Sequence, residues 1–255
     1  MSLSVDKVLR KAQSHIRAGE LDEAEELYKQ ILSRFPKNTK AIQGYQKLKA
    51  GITAKGSLDN EPQQAHLDEL IDLYNQGHFV LVLSKSQLLI DLFSKNTSVY
   101  SIQGAANMAL QKYDAAINSY KQALKLKPDY ANAYYNMGIA LTGKGDLDTA
   151  IYSYKQAIKI NPNHAYAFNN LGLALNGKGD QDAAIDNYKE ALKLKPDYAE
   201  VFINMGASLN DKGDLAAGIE SYKKALKIKP DYAKAYYNMG NALNDKGDLE
   251  AAIES

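Results

Sequence analysis

The sequence has no cysteine and no tryptophan, and only 6 prolines and 5 phenylalanines among its 255 residues. Without cysteine there is no disulfide framework, no thiolate metal site and no Cys nucleophile. An excess of either charge is missing too. Lys and Arg number 31 against 30 Asp and Glu, a net charge of +1. That balance gives no pull toward nucleic acid or an anionic membrane. No stretch approaches the roughly 18–20 apolar residues of a membrane span. The N-terminus, MSLSVDKVLRKAQSHIRAGELDEAEELYKQIL, lacks the apolar run of a signal peptide. What remains is 45% hydrophobic and 24% charged, the profile of a folded chain. A soluble, cytoplasmic protein is expected, in which the sequon Asn96-Thr97-Ser98 is a chance occurrence.

Repetition is what the chain has in abundance. Pro128, Pro162, Pro196 and Pro230 stand 34 residues apart and close the phrases LKLKPDYA, IKINPNHA, LKLKPDYA and LKIKPDYA. Gly104, Gly138, Gly172, Gly206 and Gly240 keep the same period, as do Gly145, Gly179, Gly213 and Gly247. A fixed period of this length marks a repeat architecture.

Within one unit, 131–164, Tyr134, Met137, Gly138 and Leu141 fall at helical spacing and form an apolar stripe. Gly145-Asp146 ends that helix, since glycine enters a left-handed turn without strain. A second helix follows, with Ala150, Tyr154 and Ala157 facing back, until Pro162 stops it. Small residues at Gly138 and Ala150 let the helices cross closely, and Tyr154 fills the space between them. Such a pair cannot bury its apolar face alone and must stack on its neighbours.

These columns resemble the tetratricopeptide-repeat (TPR) family. The shared pattern is an aromatic at position four, apolar-Gly at seven and eight, Ala at twenty, an aromatic at twenty-four, Ala at twenty-seven and Pro at thirty-two. The resemblance implies an all-α fold, a right-handed superhelical solenoid of antiparallel helix pairs. Units 97–130, 131–164, 165–198 and 199–232 match closely, and 233–255 follows the pattern until the chain ends. Residues 5–38 form another unit and 39–50 a lone helix, giving an N-terminal module of 1–50. AGITAKGSLDNEP then reads as a linker over 51–62.

The unit 63–96 keeps the helix-Gly77-helix outline but lacks the eighth-position Gly, the twentieth-position Ala and the closing Pro. Its second helix, 79–93, is apolar on nearly every face and is expected to pack on two sides. The N-terminal module or a second protomer would cover it. The last repeat stops inside its second helix, without a capping helix, so the chain is expected to be part of a longer protein.

Catalytic constellations are missing. His15, His66, His78 and His164 lie in different repeats, and His164 fills a slot that holds tyrosine at 130, 198 and 232. There is no HExxH and no calcium loop. Gly138–Gly145 resembles a phosphate-binding loop, but it lacks the closing Ser or Thr and sits within a helix. No cofactor, no metal and no enzymatic activity are expected within these residues.

The candidate site is a polar column. Asn136, Asn170, Asn204 and Asn238 occupy the sixth position of successive units, off the core stripe. Positions two, six, nine and thirteen form a second stripe, which in the TPR family lines the concave groove. Packed helices lie roughly 8–10 Å apart and an extended peptide advances about 3.3 Å per residue. One asparagine would therefore meet the peptide backbone at about every third residue. An Asn amide offers a donor and an acceptor, matching a peptide unit without reading its side chain. Tyr135, Asn169 and Tyr237 stand one place before their asparagines, and Asn176, Asn210 and Asn244 recur at position twelve.

The same ladder resembles the TPR arm of O-linked N-acetylglucosamine transferases. No basic residue occupies positions five or nine, so the cationic clamp of chaperone-binding TPRs is not expected. Lys144, Lys178, Lys212 and Lys246 read as a solvated rim near the helix C-termini. The function implied is a protein-interaction scaffold binding extended segments. The alternatives are the recruiting arm of a glycosyltransferase- or sulfotransferase-like enzyme, and a homotypic scaffold assembling through the N-terminal module or the 79–93 helix.

Overall fold

The computed structural model describes residues 5–18, 20–55, 64–248 and 252. Those residues hold fourteen helices and no strand. In chain order they are α1 (Val5–Ala18), α2 (Leu21–Arg34), α3 (Thr39–Lys55), α4 (Gln64–Asn75), α5 (Phe79–Leu92), α6 (Thr97–Ala109) and α7 (Tyr113–Leu126). Then follow α8 (Ala131–Lys144), α9 (Leu147–Ile160), α10 (Ala165–Gly177), α11 (Gln181–Leu194), α12 (Ala199–Asp211), α13 (Leu215–Ile228) and α14 (Ala233–Lys246). The architecture is an all-α repeat of antiparallel helix pairs, as the 34-residue period implies. It divides into two compact units, Met1–Gln103 and Gly104–Ser255.

In the second unit the repeat columns become packing. Tyr120, Tyr154, Tyr188 and Tyr222 are almost wholly buried, each against the glycine sixteen residues earlier. A Cβ on Gly138, Gly172 or Gly206 would stand 2.5 Å from a ring carbon of its tyrosine. That is why the column tolerates no side chain. Alanines at positions twenty and twenty-seven, such as Ala150 and Ala157, lie on the same helix as the ring and have no exposed surface.

Helix boundaries follow from local chemistry. Asp146, Asp180 and Asp214 cap α9, α11 and α13, accepting from the backbone N of Thr149, Ala183 and Ala217 at 3.2, 3.2 and 3.1 Å. Such caps satisfy an otherwise orphaned amide at the first turn. Gly145 and Gly179 take positive φ at the preceding turn. In the unit starting at Thr97 that place falls to Gln111, at φ 55, the one non-glycine residue with positive φ among those described. Replacing Gln111 with Gly removes left-handed strain of about 1–2 kcal/mol, partly offset by glycine's greater freedom in the unfolded chain, about 0.5–1 kcal/mol. A small net gain in stability is expected, read as a rise in Tm.

The tyrosine that ends each unit accepts a cation on its face. Lys127, Lys195 and Lys229 lie over Tyr130, Tyr198 and Tyr232 at 5.5, 4.8 and 4.5 Å. Where His164 replaces the tyrosine, Asn161 replaces the lysine. His164 Nδ1 instead accepts from Ala167 N at 3.2 Å and caps α10. Capping needs the neutral ring, and burial lowers the His164 pKa. The unfolded chain therefore binds the proton more readily, so stability should fall as pH drops below about 6.5. His164→Tyr should flatten that part of the pH–stability curve, measured by thermal unfolding between neutral and mildly acidic pH.

Successive repeats are also tied at the rim. Lys144, Lys178 and Lys212 pair with Asp114, Asp148 and Asp182 of the preceding unit at 2.6, 2.9 and 2.5 Å. Three of the four lysines in that column are thus paired rather than merely solvated. Exposed pairs of this kind contribute little stability.

In the first unit, α1, α2 and α3 share a core of Leu9, Ala12, Ala24, Tyr28, Ile31, Ala41 and Leu48. Helix α3 runs to Lys55, past the end expected at residue 50, so 51–55 is helical and not linker. Residues 56–62 of that expected linker lie outside the described residues, with 63. Helix α3 meets α5 through the Lys47–Asp91 ion pair. The apolar stretch expected to be covered on two sides leaves Val80 and Leu81 at 70% and 45% exposure. A cavity of about 900 Å³ opens beside α1 and α3, lined by Arg10, Gln13, Lys47 and Leu48 among others.

Candidate functional site

The polar face of the second unit is carried by α8, α10, α12 and α14, the first helix of each pair. Their core stripes turn inward on the tyrosine column, which fixes the rotation of each helix. Position six is thereby placed at the boundary between core and solvent. Asn136, Asn170 and Asn238 are half-buried there, and Asn204 is buried.

The structure links four of the candidate residues into a chain, Asn204 and Asn170 from position six and Asn169 and Tyr135 from position five. Asn204 Nδ2 donates to Asn169 Oδ1 at 3.1 Å. Asn169 Nδ2 donates to Asn170 Oδ1 at 3.0 Å. Asn170 Nδ2 donates to the Tyr135 hydroxyl at 3.4 Å. The chain crosses α12, α10 and α8, and every donor points the same way along it. Asn169 is 2% exposed and is enclosed by the network. The Asn170 amide also interacts with the Tyr154 hydroxyl, which leaves an oxygen lone pair free of these bonds.

The position-twelve asparagines behave differently from one another. Asn176 Oδ1 accepts from Ser208 Oγ at 2.8 Å, and its Nδ2 donates to Asp211 at 3.3 Å. Asn210 Nδ2 donates to the Tyr222 hydroxyl at 3.1 Å. Thr142 does the equivalent with Tyr154, at 3.1 Å between the two hydroxyl oxygens. Position twelve therefore satisfies buried tyrosine hydroxyls or joins adjacent repeats. Burial pushes the Tyr154 pKa up to about 12 and raises that of Tyr188, so both hydroxyls stay protonated and can donate. Asn244 is exposed, and Tyr237, near the start of α14, is 70% exposed.

Two apolar residues on this face did not stand out in the sequence. Tyr166, at position two, is 47% exposed, and Leu173, at position nine, is 41% exposed. Both lie on the second stripe, so the spacing alone could have named them. Tyr166 also belongs to a row of rings. Tyr135 packs on His164 at 4.6 Å with the rings tilted by 40°, and Tyr166 meets Tyr198 at 5.3 Å. Lys195 lies 5.1 Å over Tyr166 and donates to its hydroxyl at 3.2 Å. The face thus combines free amide groups with exposed aromatic and aliphatic surface.

Among the described residues no cluster of His, Asp or Glu has the composition to hold a metal ion. No described helix is long and apolar enough to cross a membrane.

A family profile described as "TPR repeat" matches residues 104–145, 140–179, 175–210 and 206–247. A second, "Tetratricopeptide repeat", matches 8–38. No curated protein sequence matches the chain. Several solved structures do. A crystal structure of MamA is 29% identical over 59% of this chain and 88% of its own, with a TM-score of 0.57. YrrB, described as a TPR protein with an unusual peptide-binding site, is 20% identical over 78% of this chain and 98% of its own, at 0.62. PilF of Pseudomonas aeruginosa is 14% identical over 74% of this chain and 86% of its own, at 0.65. The last two show likeness of fold alone.

Proposed function

Because this chain belongs to the tetratricopeptide-repeat family, we propose that it is a protein-interaction scaffold whose α8–α14 face grips an extended polypeptide. The observation that carries this reading is the half-exposed amide column of Asn136, Asn170 and Asn238, flanked by Tyr166 and Leu173. Amides at one per repeat suit a backbone ligand, because a peptide unit is the one partner that presents a donor and an acceptor at regular intervals. Exposed Tyr and Leu add apolar contact without demanding a particular side chain. Charge is mixed on this stripe, with Glu200, Asp211, Lys234 and Asp245 on it, so the ligand is selected by its extended form more than by its charge.

Asn204 is excluded from the decisive test because its burial gives it a structural role. Replacing Asn136, Asn170 and Asn238 together with Ala removes half-exposed amides, and at Asn170 it also takes the acceptor from buried Asn169, so folding of the variant is checked alongside capture. Each lost hydrogen bond is worth about 0.5–1.5 kcal/mol, so capture of unstructured 12-residue peptides by the full chain should weaken by about tenfold or more. Far-UV circular dichroism should be unchanged. Undiminished capture by a folded triple variant would remove the ladder from the binding surface.

A further inference from the structure

The buried tyrosines of the second unit show what Tyr28 in the first unit lacks. The Tyr154 hydroxyl meets Thr142 at position twelve of its own repeat and Asn170 at position six of the next. Tyr222 is met by Asn210 at position twelve, and Tyr188 by Ser208 of the following repeat. In the first unit the same two places, position twelve and the next position six, hold Ile16 and Gly44. Neither has a side chain that can hydrogen-bond. Tyr28 is only 2% exposed, and among the described residues its hydroxyl has no partner.

A buried phenol without a partner is unfavourable unless a ligand or water meets it. Space for a ligand is present, since Tyr28 lines the cavity of about 900 Å³ beside α1 and α3. The fully enclosed, unpartnered side-chain atoms among the described residues are His66 Nδ1 and Asn210 Oδ1, so the Tyr28 hydroxyl is not sealed off from that space. Glycine at 44 keeps it open, because a Cβ there would stand 2.5 Å from the hydroxyl oxygen.

The rest of the lining says what kind of molecule fits. Leu9, Ile16, Leu21 and Leu48 supply aliphatic wall. The charged lining holds three cations, Arg10, Lys40 and Lys47, against two carboxylates, Asp6 and Asp91. Lys47 is paired with Asp91, and Lys40 lies 4.0 Å from Asp6. Arg10 has no carboxylate partner among the described residues. Burial raises the Tyr28 pKa, so the hydroxyl stays protonated and is ready to donate. It calls for an acceptor, and the unmatched Arg10 charge favours an anionic one.

We propose that the first unit carries a binding site for a small carboxylic acid with an aliphatic tail. The carboxylate accepts from the Tyr28 hydroxyl with Arg10 as its countercharge, and the tail lies on the leucine and isoleucine wall. The site goes beyond the polypeptide-binding reading and does not depend on it, since all of its residues belong to Met1–Gln103.

The test titrates octanoate into the full chain by calorimetry, with 1-octanol as the uncharged control. Octanoate should bind at one site, and octanol at least tenfold more weakly. Equal binding of the two, or no octanoate binding at millimolar concentration, would overturn the proposal. Tyr28→Phe removes only the unpartnered hydroxyl, so the ligand-free Tm should hold or rise while octanoate affinity falls about tenfold or more. A drop in Tm with affinity unchanged would mean that the hydroxyl serves the fold and not a ligand. Arg10→Gln should erase the preference for octanoate over octanol, and a preference that survives would remove Arg10 from the site. Ile16→Asn places at position twelve the residue that meets Tyr222, so it should abolish octanoate binding and leave a folded chain. Should that variant unfold, Tyr28→Phe still decides.

Discussion

Gly172→Ala should destabilise the second unit by roughly 1–3 kcal/mol, the range for overpacking a tight core. Taken alone, the change favours the helix, since alanine in a helix interior is preferred over glycine by roughly 0.5–1 kcal/mol. Packing reverses the sign. The new Cβ would stand 2.5, 2.8 and 2.9 Å from three atoms of the Tyr188 ring. That ring has no exposed surface and shares a core with Ala184 and Ala191, which have none either, so it has no open space to retreat into. Shrinking the ring should rescue the variant in part. Tyr188→Leu alone leaves a cavity, whereas combined with Gly172→Ala it makes room for the methyl. Denaturant unfolding of the two single variants and the double closes a cycle. If Gly172→Ala proved neutral or stabilising, the ring would not be the wall that the structure makes it.

The second large effect is at Asn169. Asn169→Leu leaves the buried Asn204 amide without its acceptor, and an unsatisfied buried donor costs about 1–3 kcal/mol. Replacing both partners should cost much less, since two apolar side chains of similar shape strand no fully buried polar atom, and the Asn170 oxygen that loses its donor is half-exposed. The double variant Asn169→Leu, Asn204→Leu should therefore be more stable than Asn169→Leu alone, while Asn204→Leu by itself is destabilising, a combination that additive effects cannot produce. Equal or greater loss in the double would mean that the 3.1 Å contact between α10 and α12 does not couple them.

These two sites differ in how far the sequence revealed them. The Gly172–Tyr188 contact repeats at Gly104–Tyr120, Gly138–Tyr154 and Gly206–Tyr222, so a fixed sixteen-residue offset displays it four times over. Helix pairs and their turns were legible for the same reason. The asparagine chain has no such redundancy. Its cross-repeat links join residues 35 apart, one more than the period, and run through position five, which holds Tyr, Asn and Ile in turn. Reading columns vertically could not show a contact that steps diagonally. Position twelve misled in the opposite way. Asn176 and Asn210 form a visible column, yet one bonds the next repeat and the other a tyrosine of its own. The end of α3 escaped as well, because Gly51 and Gly56 suggested a break where the helix in fact runs on to Lys55.

The rim pairs bear on how such a chain can grow. Lys144, Lys178 and Lys212 each reach back thirty residues to an aspartate in the unit before. Any 34-residue cassette cut within 131–198 and reinserted in frame meets its new neighbour with the same lysine and the same aspartate. Duplication by unequal recombination would leave every rim contact matched, with no compensating change at the seam. Beyond that stretch the rule lapses, since Ala216 stands where Asp114, Asp148 and Asp182 stand in earlier units, opposite Lys246. Copying is cheapest in the middle of the array, and a lengthened descendant would be expected to carry its added repeats there.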